Sequence, residues 1–217
     1  MSYLQTTDII ALQTMVNFEK LFNARSIALL LVVSVIGIVL FSLYFQNHTQ
    51  QVLRARKEKN LYFQSAYLSP IPDKSQFDQL NYFLPDKKYK VKAKMEILAT
   101  KEFVNMWSSD GKKINYEKFA KLSFILNDAA CTALVFKKTE GKETNELFMP
   151  FRDLSNGKTT YQSGRYLDLI FENNEEVILD FNLAYNPYCV YNYIYSCPLP
   201  PKENKFNVYI DAGEKLY

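Results

Sequence analysis

From Tyr89 to Ile97 the chain alternates strictly: Tyr89, Val91, Ala93, Met95 and Ile97 fall on one side, lysines and Glu96 on the other. A period of two with one polar side predicts a strand that buries a single face. The runs KFAKLSFIL (118–126) and CTALVFKK (131–138) read as two further strands. Asn127-Asp128 lies between them as a hairpin signal, because these residues tolerate positive φ. Residues 145–151, 165–171, 176–183 and 205–211 read as strands as well, with Ser155-Asn156-Gly157 and Asn173-Asn174 as turns. Short strands separated by turn chemistry predict a mainly β fold, an antiparallel barrel or sandwich of about 7–9 strands.

The pattern before residue 70 is different. Residues 27–45 (IALLLVVSVIGIVLFSLYF) are apolar and carry no charge. About 19 residues at roughly 1.5 Å each just span a hydrocarbon core, so this is read as an uncleaved transmembrane anchor. A cleaved signal peptide is the rival reading, but no small-x-small cleavage site follows. Residues 1–26 form an N-terminal segment before the anchor. Residues 46–70 are a linker with a polar helix, ended by Pro70 and Pro72. Residues 71–217 are the β-rich domain.

Composition narrows the chemistry. Sixteen Tyr and sixteen Phe suit a strand-built core. A net charge of +3 gives no electrostatic case for nucleic acid. The single histidine is His48, so the β-rich domain has no histidine base, ligand or nucleophile partner. A zinc site needs four ligands, and three cysteines without histidine fall short. No metal and no cofactor is expected.

Three stretches carry a resemblance: NYFLPDKKYKVKA, MPFRDLSNGKTTYQSGRYLDL, and LDFNLAYNPYCVYNYIYSCPLPPKENKFNVYIDAGEK. In their order and content, from about Arg56 to the C-terminus, the chain resembles the DUF1684 family of bacterial proteins. The resemblance implies an exported β-rich domain but supplies no reaction. Orientation is contested by charge: Lys20 and Arg25 precede the span, while Arg54, Arg56, Lys57 and Lys59 follow it. The positive-inside rule alone puts the domain in the cytoplasm. The cysteines and the resemblance favour the opposite side, a periplasmic or extracytoplasmic domain on an inner-membrane anchor.

Candidate chemistry gathers on the stretch 165–183, read as a hairpin. Tyr166, Asp168 and Ile170 share one strand face; Ile178, Asp180 and Asn182 share one face of the next. If these faces meet, Asp168 and Asp180 form a carboxylate pair in a pocket with Tyr166 and Asn182, and Arg152 or Arg165 clamps an anionic group. Asn186 completes the candidate ligand-binding set. The tyrosines between Tyr185 and Tyr195 either stack a ligand or seal one end of the barrel. Cys189 and Cys197 are a candidate disulfide, with two free thiols as the alternative. The expected function is a membrane-anchored domain that binds a small polar ligand or an envelope partner. The alternatives are a hydrolase using Asp168 and Asp180, or a purely structural module.

Overall fold

A computed structural model describes residues 24–139 and 145–217. The chain divides into two compact units, residues 1–48 and 49–217. Residues 1–23 of the expected N-terminal segment lie outside the described residues. One helix, α1, runs Ala24–Ser65, where the sequence suggested an apolar and a separate polar helix. In the first unit its side chains between Ile27 and Leu43 are mostly exposed and apolar. The helix is long and apolar enough to cross a membrane by length and composition. It stops before Pro70, as the proline pair requires.

In the second unit the helix carries a stripe at i, i+4, i+7 and i+11: Val52, Arg56, Lys59 and Phe63. This is one helical face. Val52 and Phe63 are fully buried. Phe63 meets Phe77 and Tyr191 edge-on or tilted, in a cluster closed by Ile71 and Leu80. Arg56 donates to the carbonyls of Phe83 (2.7 Å) and Asn182 (2.9 Å).

Six strands follow among the described residues, fewer than the roughly 7–9 expected: β1 Lys90–Trp107, β2 Lys113–Leu126, β3 Ala129–Lys138, β4 Glu146–Phe151, β5 Arg165–Ile170 and β6 Glu176–Asp180. All paired neighbours are antiparallel, in the order β5-β4-β3-β2-β1-β6. The end strands β5 and β6 approach each other, so the sheet is a nearly closed barrel. Asn127 and Asp128 both take positive φ (48° and 61°), and Leu126 pairs Ala129 directly across them. This is the two-residue hairpin that the dipeptide signalled.

Three expectations are corrected. Residues 165–183 do not form a hairpin, because β5 pairs with β4 and β6 with β1. The second of these strands ends at Asp180, and Phe181–Leu183 is a 3-10 turn capped by the Asp180 carboxylate. Residues 205–211 are not a ladder strand: they touch the sheet through one parallel bridge, Arg152 to Lys205. Their alternation is nonetheless real, since Phe206, Val208 and Ile210 are buried in the barrel core. They form a strap that fills the barrel.

The core joins one face of every strand to that strap, for example Ala93, Leu122, Val135, Met149, Leu167 and Leu179. A β-bulge then decides what the other face carries. Ala120 pairs Val135, but Lys118 pairs Phe136, so β2 has one extra residue at Phe119. Paired residues point to the same side of a sheet, so the bulge swaps the faces of β2. Beyond it, Tyr116 leaves the core side and stacks on Phe148 at 5.5 Å. A second aromatic cluster, with Phe136, Phe148 and Tyr166, thus forms on the outer side of the sheet.

Candidate functional site

Over this outer cluster lies a cavity of about 1170 Å³. Its floor is Tyr116, Phe148, Tyr166 and Asp168 from β2, β4 and β5. Tyr185, Tyr188, Tyr195, Cys197 and Pro198 cover one side, and Glu58, Lys59, Tyr62 and Phe63 of α1 form another wall. The cover is tied at both ends. Tyr185 exchanges two backbone hydrogen bonds with Tyr166, each 2.9 Å. Farther along, Leu199 N–H donates to the Trp107 carbonyl at 2.6 Å, and the Tyr166 hydroxyl donates to the Pro198 carbonyl at 2.6 Å.

The Tyr166–Tyr185 bridge has a chemical consequence. It brings the Tyr185 hydroxyl to 2.7 Å from Asp168 Oδ2, to which it donates. Asp168 is open to the cavity, yet protein surrounds it on most sides. Burial raises its pKa above the ordinary carboxylate range; Tyr185 and Lys138 oppose the rise, and Glu146 adds to it. Burial likewise pushes the Tyr185 phenol well up, with Asp168 adding to the effect, and it pushes Tyr116 up to about 12. These phenols remain neutral donors at physiological pH.

On the α1 wall, Lys59 Nζ sits 2.7 Å from Glu214 Oε1 and 4.2 Å from the Tyr185 ring centre. Burial lowers the Lys59 pKa, and Glu214 restores part of it. Glu214 is itself buried and also accepts from the Asn186 N–H (2.8 Å) and the Tyr191 hydroxyl (2.6 Å). One carboxylate therefore ties α1, the cavity cover and the C-terminal strap together.

The structure does not gather the seven candidate residues into one hollow. Only Tyr166 and Asp168 line the cavity. Arg165 points into the core, where it pairs with Asp153 at 3.1 Å and neither side chain is exposed. Its guanidinium also donates to the carbonyls of Ile210, Ala212 and Glu214. Asp180 accepts from the Asn182 backbone and side-chain amides. The Asn182 side chain exchanges hydrogen bonds with the Asp86 backbone, both 2.8 Å. Asn186 donates to the Lys215 carbonyl at 2.8 Å. Arg152 reaches the Gln162 carbonyl at 3.2 Å, outside the cavity. These five side chains spend those bonds on the protein itself, away from the cavity.

Cys189 and Cys197 are adjacent, as their spacing allowed, but they are free thiols and not a disulfide. The Cys189 N–H donates to Cys197 Sγ at 3.2 Å. A hydrogen bond from the Cys197 thiol brings Cys189 down to about 6 and holds Cys197 up. Of the tyrosines, Tyr185, Tyr188 and Tyr195 line the cavity, Tyr191 is buried on Glu214, and Tyr193 is exposed.

Reading the sequence missed Lys59, Tyr116, Phe148 and Glu214. Tyr116 is revealed only by the bulge, Phe148 by its pairing with Phe136, and Lys59 only by the helical stripe. Glu214 stood within the AGEK motif without a role.

The family described as "Protein of unknown function (DUF1684)" matches residues 75–215. The chain belongs to the DUF1684 family. Its fold is similar to the solution NMR structure of the uncharacterized protein from gene locus rrnAC0354 of Haloarcula marismortui. That likeness has a TM-score of 0.64 and 37% sequence identity, covering 79% of this chain and 95% of that one. No curated protein matches the chain. The family match takes in every floor residue of the cavity and its cover, whereas the α1 wall lies before it.

Proposed function

We propose that this DUF1684 protein is a membrane-tethered binding domain, exported on its apolar helix, that holds a small molecule in the cavity beneath Tyr185–Pro198. The observation that carries this reading is the cavity's make-up: about 1170 Å³ over an aromatic floor with one carboxylate, Asp168, in it. Pockets for small molecules combine apolar walls with placed polar groups, and here aromatic rings share the lining with charged side chains. Burial raises the Asp168 pKa there, and carboxylates perturbed in this way gather at functional sites. Asp180 is outside the cavity and occupied by Asn182, so the two-carboxylate hydrolase has no geometric support.

Export is consistent with the charges after the span once their partners are counted. Arg56 is bound to the Phe83 and Asn182 carbonyls, and Lys59 to Glu214, so both belong to the domain. Arg54 and Lys57 then remain beside Lys20 and Arg25, and long domains translocate largely regardless of such charges.

The test is a thermal-shift screen of small molecules on the full chain and on Ile114→Trp, which fills the cavity beside Tyr116. Ligands of this site raise the melting temperature of the first and not of the second. Hits that stabilise both equally defeat the reading.

A further inference from the structure

Resting on the cavity reading above, we infer that the ligand is a cationic amine with an apolar body, its ammonium held between Asp168 and the rings of Phe148, Tyr166 and Tyr185. Phe148 meets Tyr166 edge-on at 4.8 Å, and Tyr166 meets Tyr185 edge-on at 5.7 Å. Each pair sets a ring edge against a neighbouring ring face, so the three rings present their remaining faces in different directions. Ring faces carry negative potential, and several faces around one point attract an ammonium more strongly than one does. Lys59 already demonstrates the affinity, with its Nζ 4.2 Å from the Tyr185 centroid.

The carboxylate adds direction. Tyr185 occupies Asp168 Oδ2, and among the described residues no cation forms an ion pair with Asp168. An ammonium proton donated to a carboxylate in a partly dry site makes a charge-assisted hydrogen bond, stronger than one from a neutral hydroxyl.

The lining charges lean against an anion. Of the three lysines among its described residues, Lys59 is spent on Glu214, Lys137 lies over the Phe119 ring at 4.2 Å, and Lys138 is a charge neighbour of Asp168. Glu58, Glu117 and Glu146 line the cavity with Asp168, so its carboxylates outnumber its lysines. The cavity has room for an apolar body, to which Ile114, Leu147 and Tyr188 offer surface.

The probes are phenylbutylamine, phenylbutanol and phenylbutanoate, which share one skeleton and differ in head group. Each is titrated calorimetrically into the full chain in lipid nanodiscs, with protein-free discs subtracted. The amine is expected to bind about tenfold more tightly than the alcohol, and the carboxylate weakest. Asp168→Asn should reduce amine affinity to that of the alcohol and leave the alcohol unchanged. Phe148→Leu keeps apolar volume but removes a ring face, and should weaken the amine more than the alcohol. It serves as the test if Asp168→Asn does not fold. Equal binding of amine and alcohol, or tighter binding of the carboxylate, overturns the amine inference while the binding cavity stands. Heats indistinguishable from the blank for all three probes overturn the amine inference, and the Ile114→Trp comparison then decides the cavity by itself.

Discussion

Asp153 and Arg165 form an ion pair at 3.1 Å in which neither side chain reaches solvent. Arg165 also donates to the carbonyls of Ile210, Ala212 and Glu214, and Asp153 Oδ1 accepts from the Ser155 and Ile210 amides. The pair thereby fixes the segment that fills the barrel. Burial lowers the Arg165 pKa, and Asp153 is the chief group opposing that. Removing one partner leaves a buried charge uncompensated, so Asp153→Asn should cost about 3–5 kcal/mol in urea unfolding. A loss below about 1 kcal/mol would mean that the guanidinium finds other compensation, and would sink this account.

Asn204 does the work of a sheet rung. The strands β3 and β4 pair at one position only, Phe136 with Phe148. Beside that gap Asn204 Nδ2 donates to the carbonyls of Leu134 and Pro150, each at 2.8 Å, and its Oδ1 accepts from the Leu134 amide at 2.7 Å. Asn204→Leu strands all three backbone groups and should cost about 2–3 kcal/mol. Hydrogen exchange should show the Leu134 amide losing protection first. Unchanged protection there, with or without a stability loss, refutes the role.

These two residues also show where sequence stops being informative. Alternation reports which side chains are buried, and it did so for Tyr89, Ala93 and Met95 and for Phe206, Val208 and Ile210, but Val91 is only half-buried and Ile97, expected on the same face, is exposed. It does not report what a segment pairs with, so a strap inside the barrel read as a seventh strand. Arg165 looked like a ligand clamp because a buried arginine and an exposed one have the same letter. Its partners lie 12 to 49 residues away, and nothing local announces them. Tyr166 and Asp168 were legible because they stand two apart on a regular strand. Tyr116 was not, because one extra residue at Phe119 reverses the parity from which its side would be inferred.

Asp168 should make the folded protein less stable as pH rises. Burial raises its folded pKa above the unfolded value of about 3.9, against the opposing pull of Tyr185, Lys138 and Lys59 and with Glu146 adding to it. The folded state therefore binds the proton more tightly. The stability this contributes is fully present below the unfolded pKa and is lost as pH rises through the folded one. Asp168→Asn should accordingly melt above wild type at neutral pH, and the difference should vanish below the ordinary carboxylate range. An Asp168→Asn protein that melts lower at neutral pH would show the carboxylate to be structural.

The paired thiols should react unequally. With Cys189 at about 6 and Cys131 pushed up by burial, iodoacetamide at neutral pH should label Cys189 well before Cys131. The cause is the Cys197 thiol, so Cys197→Ala should move the labelling midpoint of Cys189 from about 6 toward about 8.5. Peptide mass spectrometry across a pH series reads both. A midpoint that does not move assigns the effect to some other neighbour.

Gly213 sits where strap, cavity cover and Glu214 meet. Its φ is +76°, and a Cβ there would lie 2.5 Å from the Ala184 carbonyl and 2.8 Å from that of Phe181. Two costs coincide, the left-handed backbone and a clash with backbone that cannot turn aside. Gly111 separates them, because its φ is +78° and nothing lies within 4 Å of its Cβ position. Gly111→Ala should therefore cost about 1 kcal/mol, the conformational part alone. Gly213→Ala should cost at least twice that. It should also displace Glu214 from Lys59 and Tyr191, freeing the α1 wall and weakening any ligand of the cavity. Equal losses for the two alanines would mean the strap yields without strain, and Glu214 would then not be the joint that holds the cavity in shape.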